Sequence, residues 1–235
     1  MRITYSNRVS RIYSISIFLF FLFTGSTLIA QNKVDDQGKK QGYWEKKGDN
    51  GKTRYKGQFK DDIPFGKFKY YDEKGVLETV MAFNNTDTTL ATHYHDNGKK
   101  AAYGYYVNKQ KEGKWRFYDK KGVLANSQEY HTGKKNGALI VYNLNGTISR
   151  ESYFVEDREN GYRKTYDSEG VLLTEGEISD GQPDGMQIWY RNGKINIKGA
   201  YKHSVPDGEW VYYDAEGKPY RNENYELGSK VEKKK

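Results

Sequence analysis

The sequence has no cysteine, and only four histidines, four prolines and three methionines among its 235 residues. Without cysteine there is no disulfide frame, no thiolate zinc site, no cysteine nucleophile and no lipid-modified N-terminal cysteine. Apolar residues are scarce as well, at 35% of the chain, and many of them are rings: 22 tyrosines, 10 phenylalanines and 4 tryptophans. A chain this polar would ordinarily be disordered, but disordered chains are also poor in aromatics. The composition therefore predicts a folded, tyrosine-rich protein with little aliphatic core.

The one long apolar stretch lies at the start. Arg2, Arg8 and Arg11 precede the run Ile15 to Phe23, which is followed by Thr24, Gly25, Ser26 and Thr27 and then by Leu28-Ile29-Ala30. That layout is a secretory signal peptide, and its apolar run falls short of the ~20 residues a spanning helix requires. We expect residues 1–30 to be removed after Ala30, leaving a short segment at 31–37 and a periplasmic or secreted product that is not a lipoprotein. Setting the three arginines aside lowers the formal charge from +8 to +5. A charge this mild favours solubility and allows contact with anionic envelope surfaces, and is no signature of nucleic-acid binding.

What fills the rest of the chain is a repeat. An anchor glycine recurs at Gly42, Gly66, Gly113, Gly137, Gly161, Gly185 and Gly208, with Thr89 as one degenerate start, in steps of 23 or 24 residues. A second glycine follows nine residues later at Gly51, Gly75, Gly98, Gly122, Gly146, Gly170 and Gly217, and eight later at Gly193. Eight residues further on stand Phe59, Phe83, Tyr106, Tyr130, Phe154, Ile178, Tyr201 and Tyr225. Five residues after the anchor, tyrosine fills every repeat except the first, which has Lys47. A fixed period of this length marks a repeat architecture.

The offsets name the element. After the second glycine, even positions carry an aliphatic and then an aromatic residue, as in Leu77 with Phe83, Leu124 with Tyr130 and Ile148 with Phe154. Odd positions are mostly polar, and a period of two is a half-buried strand. The segment before it, such as Lys114 to Tyr118, reads as a second strand joined through Asp119-Lys120-Lys121-Gly122. Strand, turn and strand make a hairpin. Asn-Gly and Asp-Gly pairs, including Asn50-Gly51, Asn97-Gly98, Asn136-Gly137, Asn145-Gly146, Asn160-Gly161, Asp184-Gly185, Asn192-Gly193 and Asp207-Gly208, are read as turns that tolerate positive φ. Pro183 and Pro206 are placed between hairpins. The expectation is an all-β fold: one elongated antiparallel sheet of about eight stacked 24-residue hairpins over residues 38–228, about 75 Å long, with a basic tail at 229–235 and the residues after Tyr225 frayed.

The pattern Gly-x-Trp-x-x-Tyr-x-x-x-Gly, present at Gly113 to Gly122 and at Gly208 to Gly217, resembles the MORN repeat in its bacterial variant form. The resemblance implies a twisted sheet of hairpins used as an interaction or membrane-proximal scaffold. It extends to the YwqK-type group, often labelled as antitoxins of toxin–antitoxin systems, although an exported antitoxin would need an exported toxin. Repeat three departs from the pattern, with Thr89 and Ala91 in place of Gly and Trp, so its local packing is expected to be poor.

Nothing in the repeat reads as catalysis. His93 and His95 share the spacing of one strand face, but His93 occupies the position of Tyr70 and Phe117, and His95 that of Asp72, Asp119, Asp167 and Asp214. Those aspartates read as turn formers bonding their own backbone. No serine sits in a nucleophile elbow, and the glycines lack the helix that follows a phosphate loop. We expect no enzyme activity, no cofactor and no metal. The candidate binding residues are the first-strand aromatics Trp115, Phe117, Tyr118, Trp189, Tyr190, Trp210, Tyr212 and Tyr213, some of which must be exposed because neighbouring strand residues alternate faces. The leading expectation is an exported protein–protein scaffold. Cell-wall glycan, where rings stack on sugars, or an anionic membrane surface is the alternative partner, and an antitoxin-like immunity role is the other.

Overall fold

The computed structural model describes residues 32–84 and 86–232, so the signal layout at 1–30 and the final lysines at 233–235 lie outside the described residues. The described chain is all-β, a single antiparallel sheet of 19 strands with no helix. Pairing follows chain order. Lys40–Lys47 pairs with Thr53–Lys60, which pairs with Ile63–Tyr71, which pairs with Leu77–Phe83, and the succession continues to Pro219–Glu226. Short strands close both ends: Lys33–Val34 pairs with Lys40–Lys47, and Ser229–Val231 pairs with Pro219–Glu226. The stretch after Tyr225 is thus paired at 229–231, not frayed.

Two kinds of connection alternate. Within a hairpin, the Asp-x-x-Gly loop closes as expected: the Asp72 carboxylate accepts from the Lys74 and Val76 amides, and Asp119, Asp167 and Asp214 repeat the arrangement. Between hairpins lie two-residue turns with both residues left-handed, as at Asp61-Asp62 (φ 53 and 66°), Asn108-Lys109 (49 and 65°) and His203-Ser204 (51 and 68°). That is the type I′ geometry, whose twist matches that of paired strands.

Three readings are corrected here. The pairs Asn136-Gly137, Asp184-Gly185 and Asp207-Gly208 are not turns. They lie inside the strands Lys134–Tyr142, Gln182–Arg191 and Val205–Tyr213, with glycine φ of 111, 106 and 77° at register shifts against the preceding strand. Asn160-Gly161 likewise opens the strand Gly161–Tyr166, with φ 104° at the glycine. The anchor glycine is a bulge residue, and the positive φ it supplies bends the strand without ending it. Pro183 and Pro206 likewise sit inside these strands, opposite Ile178 and Tyr201.

The third correction concerns faces. In every hairpin the register slips just before the repeat tyrosine, so that Tyr70 pairs with Thr79 but Tyr71 with Leu77. The same slip recurs at Tyr118 with Leu124, Tyr142 with Ile148, Tyr166 with Leu172 and Tyr190 with Ile195. A one-residue slip moves a side chain to the other face. The aliphatics therefore join the tyrosines, across the sheet from the aromatics Phe83, Tyr130 and Phe154 that simple alternation groups with them.

Candidate interaction faces

The two faces differ in packing. On the first, which holds the core, the residue two beyond the anchor lies over a small residue on the preceding strand. Phe68 covers Gly57, Trp115 covers Gly104 and Trp210 covers Gly199, so closely that a Cβ on any of these glycines would overlap the ring. Phe68 and Trp115 are 2% and 0% exposed. The indole donors are also met, since Trp115 Nε1 donates to Tyr105 O at 3.0 Å and Trp210 Nε1 to Ala200 O at 3.2 Å. Gln187 fills the same position and donates to Glu177 O. Neighbouring rings complete each cluster edge-on: Phe59 and Phe83 on Phe68, Tyr106 and Tyr130 on Trp115, and Tyr201 and Tyr225 on Trp210.

Repeat three is well packed, contrary to expectation. Ala91 is 0% exposed and pairs directly with Met81, which occupies the place held by glycine in other repeats. Large and small have exchanged strands. His93 belongs to the same core, stacked on Trp115 at 5.7 Å and hydrogen-bonded through Nδ1 to Thr79, and burial, followed by the charge of Lys111, pushes its pKa down.

The second face carries the tyrosine series. Tyr118 stacks on Tyr103, Tyr166 donates to Glu151 at 3.0 Å and Tyr190 donates to Glu175 at 2.6 Å. Tyr190 is pushed up to about 12 by the Glu175 hydrogen bond and by burial. Tyr212 and Tyr213 separate as alternation requires: Tyr212 donates to Glu223 beside Trp210, and Lys198 lies over Tyr213 on the other side.

None of the eight candidate binding aromatics is freely exposed. Trp115 and Trp210 are buried, and Phe117, Tyr118, Trp189, Tyr190, Tyr212 and Tyr213 are half-buried. Trp189 lies 5.4 Å from Trp210 and belongs to that core cluster. The physical reason is the slip and the glycine seats, which give both faces a ladder of rings. The exposed tyrosines are Tyr105, Tyr153, Tyr162 and Tyr220, at 49, 49, 58 and 64%. Tyr105 and Tyr153 stand at odd offsets from Gly98 and Gly146, opposite in phase to the ladder, and that phase was their signal in the sequence. Tyr153 and Tyr162 are neighbours: the pairing of Glu151 with Lys164 aligns their strands, and a Cβ on Gly161 would lie 3.5 Å from that of Tyr153.

Between the Trp115 and Trp210 clusters the core face turns polar. Gln128 takes the seat given to glycine elsewhere, Leu139 and Arg163 replace the large ring, and Asn126, Arg150 and Thr165 occupy the flanking row. Arg163 binds Glu159 through two hydrogen bonds of 2.7 Å. Burial pushes the Glu159 carboxyl up, and the Arg163 hydrogen bonds outweigh it and hold the pKa down. Among the described residues, three buried side-chain atoms lack a hydrogen-bond partner, and all lie in this window: Gln128 Oε1, Arg150 Nε and Ser152 Oγ, the last facing Glu159 without closing a bond to it. Among the described residues no cluster of three His, Asp or Glu side chains is placed to hold a metal ion.

The sheet, its bulges and its glycine seats recur along the chain. Residues 206–226 match the family described as MORN repeat variant. The match covers the last complete hairpin, and the preceding hairpins share its strand pairing and register slip. No curated protein matches the chain. Among solved structures, a crystal structure of TarM is similar at 14% identity and a TM-score of 0.32, over 40% of this chain and 19% of that one. So slight a likeness carries no argument.

Proposed function

We propose that the protein is an exported, non-enzymatic scaffold that holds a partner protein on the tyrosine face of its MORN-type sheet. The observation that supports this most directly is the neighbouring pair Tyr153 and Tyr162, which stand about half exposed while the other rings around them are packed. Large aromatics placed in the open on a rigid sheet are the residues from which interface anchors are drawn. Val155, 44% exposed, lies in the repeat of Tyr153, and Met186, 42% exposed, in the repeat that follows that of Tyr162. An antitoxin role of the YwqK kind would be one instance of such a scaffold, with an exported toxin as partner. Export itself is supported by the layout of residues 1–30, and a mature chain beginning at Gln31 is its expected product.

The test is crosslinked capture from envelope extract, with the native protein beside a Tyr153→Ser, Tyr162→Ser double variant and a Tyr220→Ser control. Proteins retained by the native and control forms and lost with the double variant are the expected result. Equal retention by all three forms, or none, removes the scaffold from this face.

A further inference from the structure

We propose that the tyrosine face is where two copies of this chain pack together, end for end, about a two-fold axis; the proposal rests on reading that face as an interface and names its partner. The face carries two rows, formed by the residues one and three beyond each anchor and the residues paired with them across the strands. Up to Arg116 the charged side chains of these rows are Lys56, Lys67, Lys69, Lys114 and Arg116, against one acid, Glu45. Beyond it they are Glu129, Glu151, Glu175, Glu177 and Glu209, against Lys164 and Lys198. The balance of charge thus changes sign between the strands Gln110–Tyr118 and Leu124–His131, positive toward one end of the ribbon and negative toward the other. Such a surface is complementary to itself turned end for end.

An axis between the two facing sheets, parallel to the strands and level with that change of sign, lays each row of one copy on the same row of the other. Strands then meet in order outward from the axis: Lys100–Val107 faces Lys134–Tyr142, Thr88–Tyr94 faces Ile148–Val155, Leu77–Phe83 faces Gly161–Tyr166, and Ile63–Tyr71 faces Leu172–Ser179. Lys67 and Lys69 fall on Glu177 and Glu175 of the second copy, and Lys114 falls on Glu129. The exposed rings find small or aliphatic seats, Tyr105 on Ala138, Tyr153 on Leu90 and Tyr162 on Ala82. In none of these oppositions do like charges meet. Moving the axis onto either flanking strand would set Lys114 or Glu129 against its own counterpart, which is unfavourable. One axis therefore satisfies the charges and the rings together, and this self-match favours a second copy over an unrelated protein. From Lys40–Lys47 to Lys194–Lys202 the rows run roughly 65 Å and are about 10 Å wide, so the pair would bury about 1,300 Å² in all, within the range of stable interfaces.

Sedimentation equilibrium of the native protein should give twice the chain mass at about 10 µM. Lys67→Glu alone and Glu177→Lys alone should each raise the dimer dissociation constant at least about tenfold, since each reversal acts twice in a symmetric pair. The two reversals together should bring it back to within about threefold of the native value. Within one chain Lys67 and Glu177 stand nine strand spacings apart, about 43 Å along the sheet, so only contact between copies can produce that rescue. For the same reason a carbodiimide, which joins an amine to a carboxylate in contact with it, should couple Lys67 to Glu177 in the native dimer, and that link decides the matter should a reversal variant fail to fold. A native protein that stays monomeric at about 100 µM overturns the dimer. A dimer that neither reversal weakens, or that yields no link between Lys67 and Glu177, overturns it as well. A monomer that still captures another protein through Tyr153 and Tyr162 defeats the self-pairing and leaves the scaffold standing, whereas a monomer that captures nothing defeats both.

Discussion

Gly104 lies flat beneath the indole of Trp115, and an added methyl would overlap the ring. Neither residue can change alone without loss. Gly104→Ala should cost about 1–3 kcal/mol through overpacking, and Trp115→Ala about 3–5 kcal/mol through the cavity it leaves. The Met81 and Ala91 pair shows the chain using the opposite assignment of large and small at the equivalent seat. Gly104→Met combined with Trp115→Ala should therefore recover part of the summed loss, with a coupling of about 1 kcal/mol or more. Urea denaturation of the native, Gly104→Met, Trp115→Ala and doubly substituted proteins measures it, and strict additivity would show that the seat is not a matched pair. The ring positions were legible in the sequence because they repeat. Their glycine counterparts Gly57, Gly104 and Gly199 were not singled out, although a glycine inside a strand is itself a sign of close approach. That close approach is what buries the candidate binding residues Trp115 and Trp210.

Hairpins were legible from the period and the alternation, while their joints were not. Asn-Gly and Asp-Gly report tolerance of positive φ, and a bulge uses that tolerance as readily as a turn does, so the dipeptide could not say which it marked. One inter-hairpin turn, Asp180-Gly181, is itself an Asp-Gly pair, while others carry less promising sequences. His203 and Ser204 hold φ of 51 and 68°, and neither side chain makes a hydrogen bond. Replacing them by Asn-Gly should stabilise the protein by about 1 kcal/mol, read as a rise in melting temperature. The last strand offers a test by pH. Hydrogen bonds from Lys230, Tyr212 and Tyr225 hold Glu223 down to about 2. Its folded pKa lies below the unfolded value near 4.3, so its contribution is complete above that value and is lost as pH falls toward 2. The strand pair 219–226 and 229–231 should loosen over that acid window before the rest of the sheet, seen as faster amide exchange there. Glu223→Gln should remove the pH dependence.

In a stacked ribbon each hairpin is supported only by its neighbours, so the molecule is as cooperative as its weakest interface. That interface lies in the polar window. There the ring ladder of the core face is broken by Gln128, Ser152 and Arg163, and backbone pairing thins as well. The strand Ile148–Val155 meets its neighbour through four register pairs, two with Arg158–Glu159 and two with Gly161–Tyr166, whereas the joint of Thr53–Lys60 with Ile63–Tyr71 and that of Lys194–Lys202 with Val205–Tyr213 have five each. Two independent weaknesses at one place predict a molecule of two blocks, one built on Phe68 and Trp115 and the other on Trp189 and Trp210. Amide exchange resolved along the chain should show residues 148–166 opening ahead of both flanks, with separate denaturant dependence on either side. The cause can be tested by restoring the ladder. Ser152→Gly and Arg163→Trp with Glu159→Lys copies the arrangement of Gly104, Trp115 and Lys111, and removing Glu159 with Arg163 avoids stranding its charge. If the broken ladder is what divides the molecule, this triple variant should unfold in a single transition. If the two blocks persist, the thinner backbone pairing is the cause.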